Sequence, residues 1–452
     1  MFNSYNNIGI NIPDILIPRK GIDLNKWAVV ACDQYSSQPE YWQEVEKIVG
    51  ESESSLRLIL PEVYLGKEEE KGKIDLINKT MRSYIREGTI IRQKPGFVFV
   101  DRKTPRAESR KGLVAALDLE KYDYNKGSQT LIRATEGTDV KRLPPRVKIR
   151  ENAYLELPHI MVLIDDPKKT VIEPLADNLE RMELLYDFDL MMNGGHIKGF
   201  RVDDREMLDS TLNALEKLAE PGTFRPKYGV GQDKGVLLFA VGDGNHSLAS
   251  AKVHWENLKK TLPEDEAANH PARFALVEIV NVHDEGLRFE PIHRVVFNIS
   301  LDSFVKKMDE YYKENSKVSL KVFEDGKDSF KFIETVMNDK SPHYIPFRTK
   351  EKCGAIIVEN PRCNLEVGTL QFFLDELVKN DLNVKVDYIH GEEVVDSLGA
   401  KEGNIGFYLP DMDKYDLFKT VIIDGALPKK TFSMGEAEEK RFYLECRKIK
   451  ND

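Results

Sequence analysis

Apolar positions along the chain alternate between helical spacing and short continuous runs. Ile74, Ile77, Met81 and Ile85 fall on one face and predict a helix over Ile74 to Glu87. Leu208, Leu212, Leu215 and Leu218 make a similar stripe over Met207 to Leu218. Gln38 to Val49, after a turn at Tyr35-Ser36-Ser37, and Leu179 to Tyr186 also read as helices, while GKEEEKGK (Gly66 to Lys73) reads as a solvated turn. Continuous apolar runs predict strands at Phe97 to Val100, Gly112 to Leu119 and Ile160 to Ile164, the last entering a turn at Asp165-Asp166-Pro167. Asp187 to Met192 and His196 to Val202 flank Asn193-Gly194-Gly195, which suits the positive backbone angles of a hairpin.

The clearest unit is a strand at Val236 to Val241, a turn at Gly242-Asp243-Gly244-Asn245, and a helix from His246 to about Leu258. A strand at Phe274 to Val282 follows, then a turn at His283 to Gly286 and the segment Pro291-Ile292-His293-Arg294. Texture then changes: Lys313 to Asp328 is highly charged, which suggests a boundary near Asn298 to Leu301. Beyond it AIIVEN, VKVDYI and GFYLP read as strands, Leu370 to Val378 as a helix, and His390-Gly391-Glu392-Glu393 as a helix start. No repeat is visible, so a solenoid or propeller is not expected. The expected fold class is α/β (mixed α+β). Residues 1–300 form the motif-bearing core lobe, and residues 301–452 form a C-terminal α/β lobe whose end returns to the site.

Composition narrows the function. The longest apolar runs, Trp27 to Cys32 and Val236 to Val241, are six residues long, far below the ~20 a spanning helix needs, so no membrane partner is expected. The N-terminus has no basic segment followed by an apolar stretch, so it does not read as a secretory signal. A net charge of −10 argues against a direct grip on duplex nucleic acid. Four cysteines without a CxxC pair fit a reducing cytoplasm.

The strongest chemical signal is the Gly242 to Ser247 turn. Glycines let the backbone approach a ligand closely, and a helix start offers unpaired amides with partial positive charge, which suits phosphate or carboxylate. Asp243 and Asn245 would orient the turn, and His246 would hold an anion or move a proton. The plain alternative is an ordinary strand-to-helix turn capped by Asn245 or Ser247. His293-Arg294 enters an apolar strand and suits an anion, or else an ion pair with Glu290 or Asp284. Leu427 to Ser433 brings Lys429, Lys430 and Thr431 after Pro428, as a phosphate clamp or an exposed basic turn. Glu136, within Thr135-Glu136-Gly137-Thr138, is a candidate base in a loop that is otherwise a simple polar turn. His246, His283 and His293 lack zinc-type spacing, so no protein-only metal site is expected; magnesium carried by phosphates suits the pattern better. GxGxxG after a strand, GxxxxGK[ST] and GxSxG are all missing.

Several separated segments together resemble one bacterial and archaeal family, that of domain of unknown function 1015. They are ILIP near Ile15, KWAVVACDQYSSQPEYW, TEGT, DGNHSLASAK, EPIHRVV and LPKKTFSMGEAEEKRFYLECRKI. Many members carry DGHHRYE where this chain has Asp243 to Ala249, so Ser247 stands where that pattern has Arg. The DGHHR-type motif also resembles the second signature of the ParB and sulfiredoxin superfamily, which includes free serine kinases. That resemblance implies a ParB/sulfiredoxin-like core with Asp243, Asn245 and His246 at a phosphate site. Taken with the residue readings above, the expected catalytic residues are Asp243, His246 and, only as a candidate base, Glu136, and the expected ligand contacts are Gly244, Asn245, Ser247, His293, Arg294, Lys429, Lys430 and Thr431. The expected activity is phosphate transfer to or from an amino-acid hydroxyl such as serine, with a nucleotide (ADP or ATP) and Mg2+. The alternatives are a ParB-like nucleotide- or metabolite-sensing module and a phosphoserine phosphatase-like hydrolase. The expected partner is a small phosphorylated or carboxylated metabolite.

Overall fold

The computed structural model describes residues 7–36, 38–323 and 342–451. Ser37 of the predicted turn and positions 324–328 of the charged stretch lie outside the described residues. Contacts divide the chain into two units, Met1–Arg288 together with Met434–Asp452, and Phe289–Ser433. The division thus falls at Arg288/Phe289 and again at Ser433/Met434, whereas charge texture points to 298–301. Both units mix helix and strand, which makes the protein mixed α/β.

The first unit is built on a ten-stranded sheet. Its strands are β1 (Ile10–Asn11), β2 (Phe97–Lys103), β3 (Arg110–Asp118), β4 (Tyr122–Asp123) and β5 (Ile132–Ala134). They continue with β6 (Met161–Ile164), β7 (Glu183–Asp189), β8 (His196–Val202), β9 (Phe239–Asp243) and β10 (Phe274–Asn281). The order is β7-β8-β2-β3-β10-β6-β9-β5-β4, with β1 also paired to β3. Most pairs are antiparallel; β10 runs parallel to β6, and β5 runs parallel to both β9 and β4. The Phe97 to Val100 run is wholly apolar because the sheet is covered on both faces. Phe97 and Phe99 join a core with Leu113, Val162 and Phe239, while Val98 and Val100 join the opposite one with Val114 and Leu276. Helices α1 (Pro39–Val49) and α2 (Glu70–Arg86) add Trp42, Val45, Ile74 and Ile77 to the second layer. Helices α3 (Arg205–Ala219) and α4 (Asn245–Lys259) add Leu208, Leu212, Leu248 and Trp255 to the first.

Two predicted elements differ. Leu179 to Tyr186 is not a helix: one 3-10 turn covers Leu179–Arg181 and the chain then enters β7. The hairpin partner decides this, because Tyr186 lies over Gly199 of β8, where an added Cβ would come within 2.0 Å of its ring. The charged GKEEEKGK stretch is helical from Glu70 onward, with the Glu70 carboxylate accepting from the Gly66 amide at 2.6 Å.

The second unit carries an antiparallel sheet of β11 (His293–Phe297), β12 (Lys317–Phe323), β13 (His343–Arg348), β14 (Cys353–Glu359), β15 (Lys385–Ile389) and β16 (Asn404–Phe407). Its order is β12-β14-β13-β16-β11-β15. Helices α5 (Leu301–Tyr312) and α6 (Glu366–Asn380) bury Phe304, Met308, Phe373 and Leu374 against Ile345, Ile356 and Phe407. Among the described residues no helix is long and apolar enough to cross a membrane.

Candidate functional site

Two neighbouring parallel strands set the geometry of the first unit's site. β5 and β9 pair with Ile132 opposite Phe239 and Ala134 opposite Val241, so the loops that follow them leave one edge of the sheet. In open α/β sheets that carboxyl edge is where ligands gather. Thr135 Oγ1 donates to the Val241 carbonyl at 2.6 Å and ties the two strand ends together. Beyond them, the Asp139 amide donates to His246 Nε2 at 3.3 Å, so loop 135–139 lies against the start of α4. The structure thus brings Glu136 into the same region as Asp243 to Ser247.

Gly244 is the cap residue of α4, with φ +79°, a conformation that favours glycine. No side chain caps the helix: Asn245 is already its first residue and the Ser247 hydroxyl is turned elsewhere. The predicted capping by Asn245 or Ser247 is therefore corrected. The glycines have a different purpose from the one their sequence suggests. A Cβ on Gly244 would sit 3.0 Å from Ile160 Cα, and one on Gly242 would sit 2.7 Å from Met434 Sδ. Protein occupies that space, so both glycines serve packing.

Asp243 Oδ1 accepts from the Gly244 amide at 2.8 Å, and its Oδ2 lies 3.3 Å from buried Lys440 Nζ. Asn245 Oδ1 and Thr138 Oγ1, one on each loop, are buried without a hydrogen-bond partner. Buried polar atoms are nearly always paired, which sets these two apart from the tied-down groups around them.

Four further residues surround the turn and were not singled out from sequence. β6 runs antiparallel to β9, with Met161 opposite Asp243, and carries His159 just ahead of it. His159 Nε2 lies 2.7 Å from Ser247 Oγ, and its Nδ1 lies 2.9 Å from the Tyr443 hydroxyl. Tyr443 oxygen also accepts from the Cys32 amide at 3.1 Å. Burial raises the Asp33 carboxyl, but nearby His159, the Gln34 amide and Lys440 outweigh it and hold the group below its ordinary value. Burial, with help from Cys32, pushes the Tyr443 phenol well up, so it keeps its proton. Burial and the charge of Asp33 push the Cys32 thiol up to about 12, which makes it a poor nucleophile. Asp33, Lys440 and Tyr443 stand inside two of the recognisable sequence segments, and that was their available signal. His159 has none.

Lys440 and Tyr443 belong to the returning segment 434–451, which buried ions hold in place. Arg441 pairs with Glu278 at 3.1 Å and Glu445 at 2.7 Å, and Arg102 donates to the carbonyls of Lys440 at 2.6 Å, Glu438 at 3.0 Å and Gly194 at 2.8 Å.

The remaining predicted residues lie in the second unit. Arg294 is fully buried and donates to the carbonyls of Ile292, Lys429 (3.1 Å) and Lys430 (2.9 Å) and to Gln371 Oε1 (3.2 Å). His293 Nδ1 accepts from the Leu409 amide at 3.1 Å, and burial followed by the charges of Arg294 and His390 lowers its pKa to about 4. Thr431 Oγ1 donates to the Pro428 carbonyl at 2.7 Å, Lys430 takes φ +58°, and Lys429 Nζ pairs with Asp375 at 2.7 Å. Their described contacts shape the 428–431 turn. Among the described residues no group of three or more His, Cys, Asp or Glu is gathered as a metal site.

Solved structures offer distant likenesses. A conserved hypothetical protein from Pyrococcus furiosus is 12% identical, with 75% of this chain and 95% of that one covered and a TM-score of 0.36. A free serine kinase in complex with AMP is 13% identical, with 75% and 91% covered and a TM-score of 0.36. A mutant free serine kinase in complex with ADP is 12% identical, with 78% and 95% covered and the same TM-score of 0.36. No curated protein matches the sequence. The family model described as "Protein of unknown function (DUF1015)" matches residues 16–425, and the chain belongs to that family.

Proposed function

We propose that the chain is an enzyme that holds a small phosphorylated ligand at loops 135–139 and 243–247 and moves phosphate to or from an amino-acid hydroxyl such as that of serine. The observation that carries this reading is the pair of buried, unpartnered atoms, Asn245 Oδ1 and Thr138 Oγ1, flanking a helix start that no side chain caps. Phosphoryl transfer asks a protein mainly for positioning and charge stabilisation. The amides of α4 favour an anion by ~0.3–1 kcal/mol when exposed, and up to ~2 kcal/mol when partly buried. His246 and Lys440 add directed donors, Ser247 lies beside the same amides, and Glu136 and Asp33 supply carboxylates for a base. The ParB/sulfiredoxin-like core implied by the DGHHR-type motif belongs to the same proposal. So does a nucleotide, ADP or ATP, whose phosphates carry Mg2+ to neutralise their charge. The proposed site rests on first-unit residues alone.

Phosphorus NMR of the purified chain tests the reading. Serine with ATP, and phosphoserine with ADP, should each show phosphate exchange with Mg2+ present. Release of inorganic phosphate from phosphoserine without nucleotide would replace transfer by hydrolysis. Tight nucleotide binding without any turnover would leave a sensing module.

A further inference from the structure

Ser247 and His159 form a contact that ligand binding alone does not require. The serine oxygen lies 2.7 Å from His159 Nε2, and the far ring nitrogen lies 2.9 Å from the Tyr443 hydroxyl. A hydroxyl touching an imidazole that a third group holds is the arrangement that activates a serine. Tyr443 accepts from the Cys32 amide at 3.1 Å and keeps its proton; with that proton turned to the Cys32 sulfur, with which the phenol also hydrogen-bonds, its oxygen can accept from an Nδ1–H. That tautomer leaves Nε2 bare toward Ser247. The Asp33 carboxylate, close enough for its charge and that of His159 to influence each other, offsets the positive charge the ring gains with a proton. Ser247 is also the third residue of α4, beside amides that no side chain caps and that meet negative charge growing on a phosphoryl group. Cys32, the nearby thiol, is held protonated and does not compete.

We infer that Ser247 is a nucleophile, with His159 as its base, and that phosphate passes through a covalent phosphoserine at position 247; this rests on the phosphoryl-transfer reading. In the first half-reaction the Ser247 Oγ–P bond forms and the P–O bond to the donor breaks. The serine proton moves to His159 Nε2, and from there to the departing oxygen when the donor is a phosphomonoester, or to solvent when the donor is a nucleotide. In the second half the acceptor oxygen attacks the same phosphorus, the Oγ–P bond breaks, and Ser247 regains a proton through His159, from the acceptor when it is a hydroxyl or from solvent when it is ADP. No oxidant or further reactant is needed. His159 and Ser247 touch the reacting atoms; Tyr443 is a positioning residue.

The test uses the full chain and a fluorophosphonate probe, read by intact mass and peptide mapping. One adduct should form on Ser247 with loss of fluoride, be missing in Ser247→Ala, and form at least tenfold more slowly in His159→Gln. Labelling should rise with pH, as general-base catalysis requires. His196→Gln, far along the sheet on β8, should label at the native rate. If His159→Gln does not fold, Tyr443→Phe serves instead and should slow labelling with a displaced pH profile. No adduct on Ser247, or an unchanged rate in a folded His159→Gln, overturns the inference. Acid quench after radiolabelled ATP or phosphoserine should then trap phospho-Ser247. Turnover that survives in Ser247→Ala overturns the covalent step and leaves the phosphoryl-transfer reading standing. Labelling of Ser247 without turnover of any phosphorylated compound overturns that reading, and the phosphoserine step with it.

Discussion

Two turns, each in its own unit, look alike as strings of polar residues and differ in how their polar groups are used. In the second unit the 428–431 turn wraps its carbonyls around Arg294, whose guanidinium also binds Ile292 and Gln371. A buried cation surrounded by acceptors of its own chain is a structural rivet. In the first unit the 243–247 turn opens a helix without a side-chain cap and leaves Asn245 Oδ1 buried and unmatched. Residue type is therefore a poor guide to an anion site. What separates the two turns is whether the chain has already spent its hydrogen bonds.

The largest effect expected from this contrast is on stability. Arg294→Leu leaves several buried carbonyls unpaired and should cost about 3–5 kcal/mol in urea unfolding, whereas Ser247→Ala should cost about 1 kcal/mol or less. A stable Arg294→Leu variant with weakened phosphate binding would break the contrast outright.

Acidification should separate the units next. His293 and His343 of the second unit have pKa values lowered to about 4, chiefly by burial, against an ordinary value near 6.5. The unfolded chain binds those protons first, so stability is lost as pH falls from about 6.5 toward 4. At pH 5 the limit is about 2 kcal/mol per ring. In the first unit His254 behaves alike at about 4. His196 runs the other way: hydrogen bonds to Asp189 and Asp187 raise its pKa, so it adds stability on the acid side. Amide exchange should therefore show greater acid loosening in β11 and β13 than in β8; equal loosening would contradict this account.

Gly244→Ala comes third, at about 1–3 kcal/mol, because its positive φ and the Ile160 backbone both resist a side chain. Thermal melting reads it directly, and a neutral variant would mean that the turn relaxes freely. The smallest stability effect belongs to His246→Ala, expected within about 1 kcal/mol of native. It should still weaken phosphate binding at least tenfold by calorimetry, since a bond to a charged group contributes about 1.5–3 kcal/mol. Unchanged affinity would remove His246 from the site.

Much of the fold was legible because it follows from local periodicity. The stripes of α2 and α3, the strand preceding α4 and the Asn193-Gly194-Gly195 hairpin can be read without knowing their neighbours. Glu183 to Tyr186 was misread as helix because its state depends on pairing with β8 and on the room that Gly199 leaves for Tyr186. The site divides in the same way. Gly242 to Ser247 is visible as a strand–turn–helix, and Glu136 as a polar loop residue, but the parallel pairing of β5 with β9 that places them together joins strands over 100 positions apart, as the pairing of Phe239 with Ile132 shows.

The sequence by itself determined that this is a mixed α/β chain with a glycine turn opening a helix, because apolar spacing and backbone preference act over a few residues. Tertiary structure alone decided which polar groups remain unspent. Asn245 Oδ1 lacks a partner, Arg294 has several, and Ser247 meets His159 and, through it, Tyr443 from the returning C-terminal segment. Hydrogen bonds depend on a few tenths of an ångström and on burial, and both are set only when distant parts of the chain pack together.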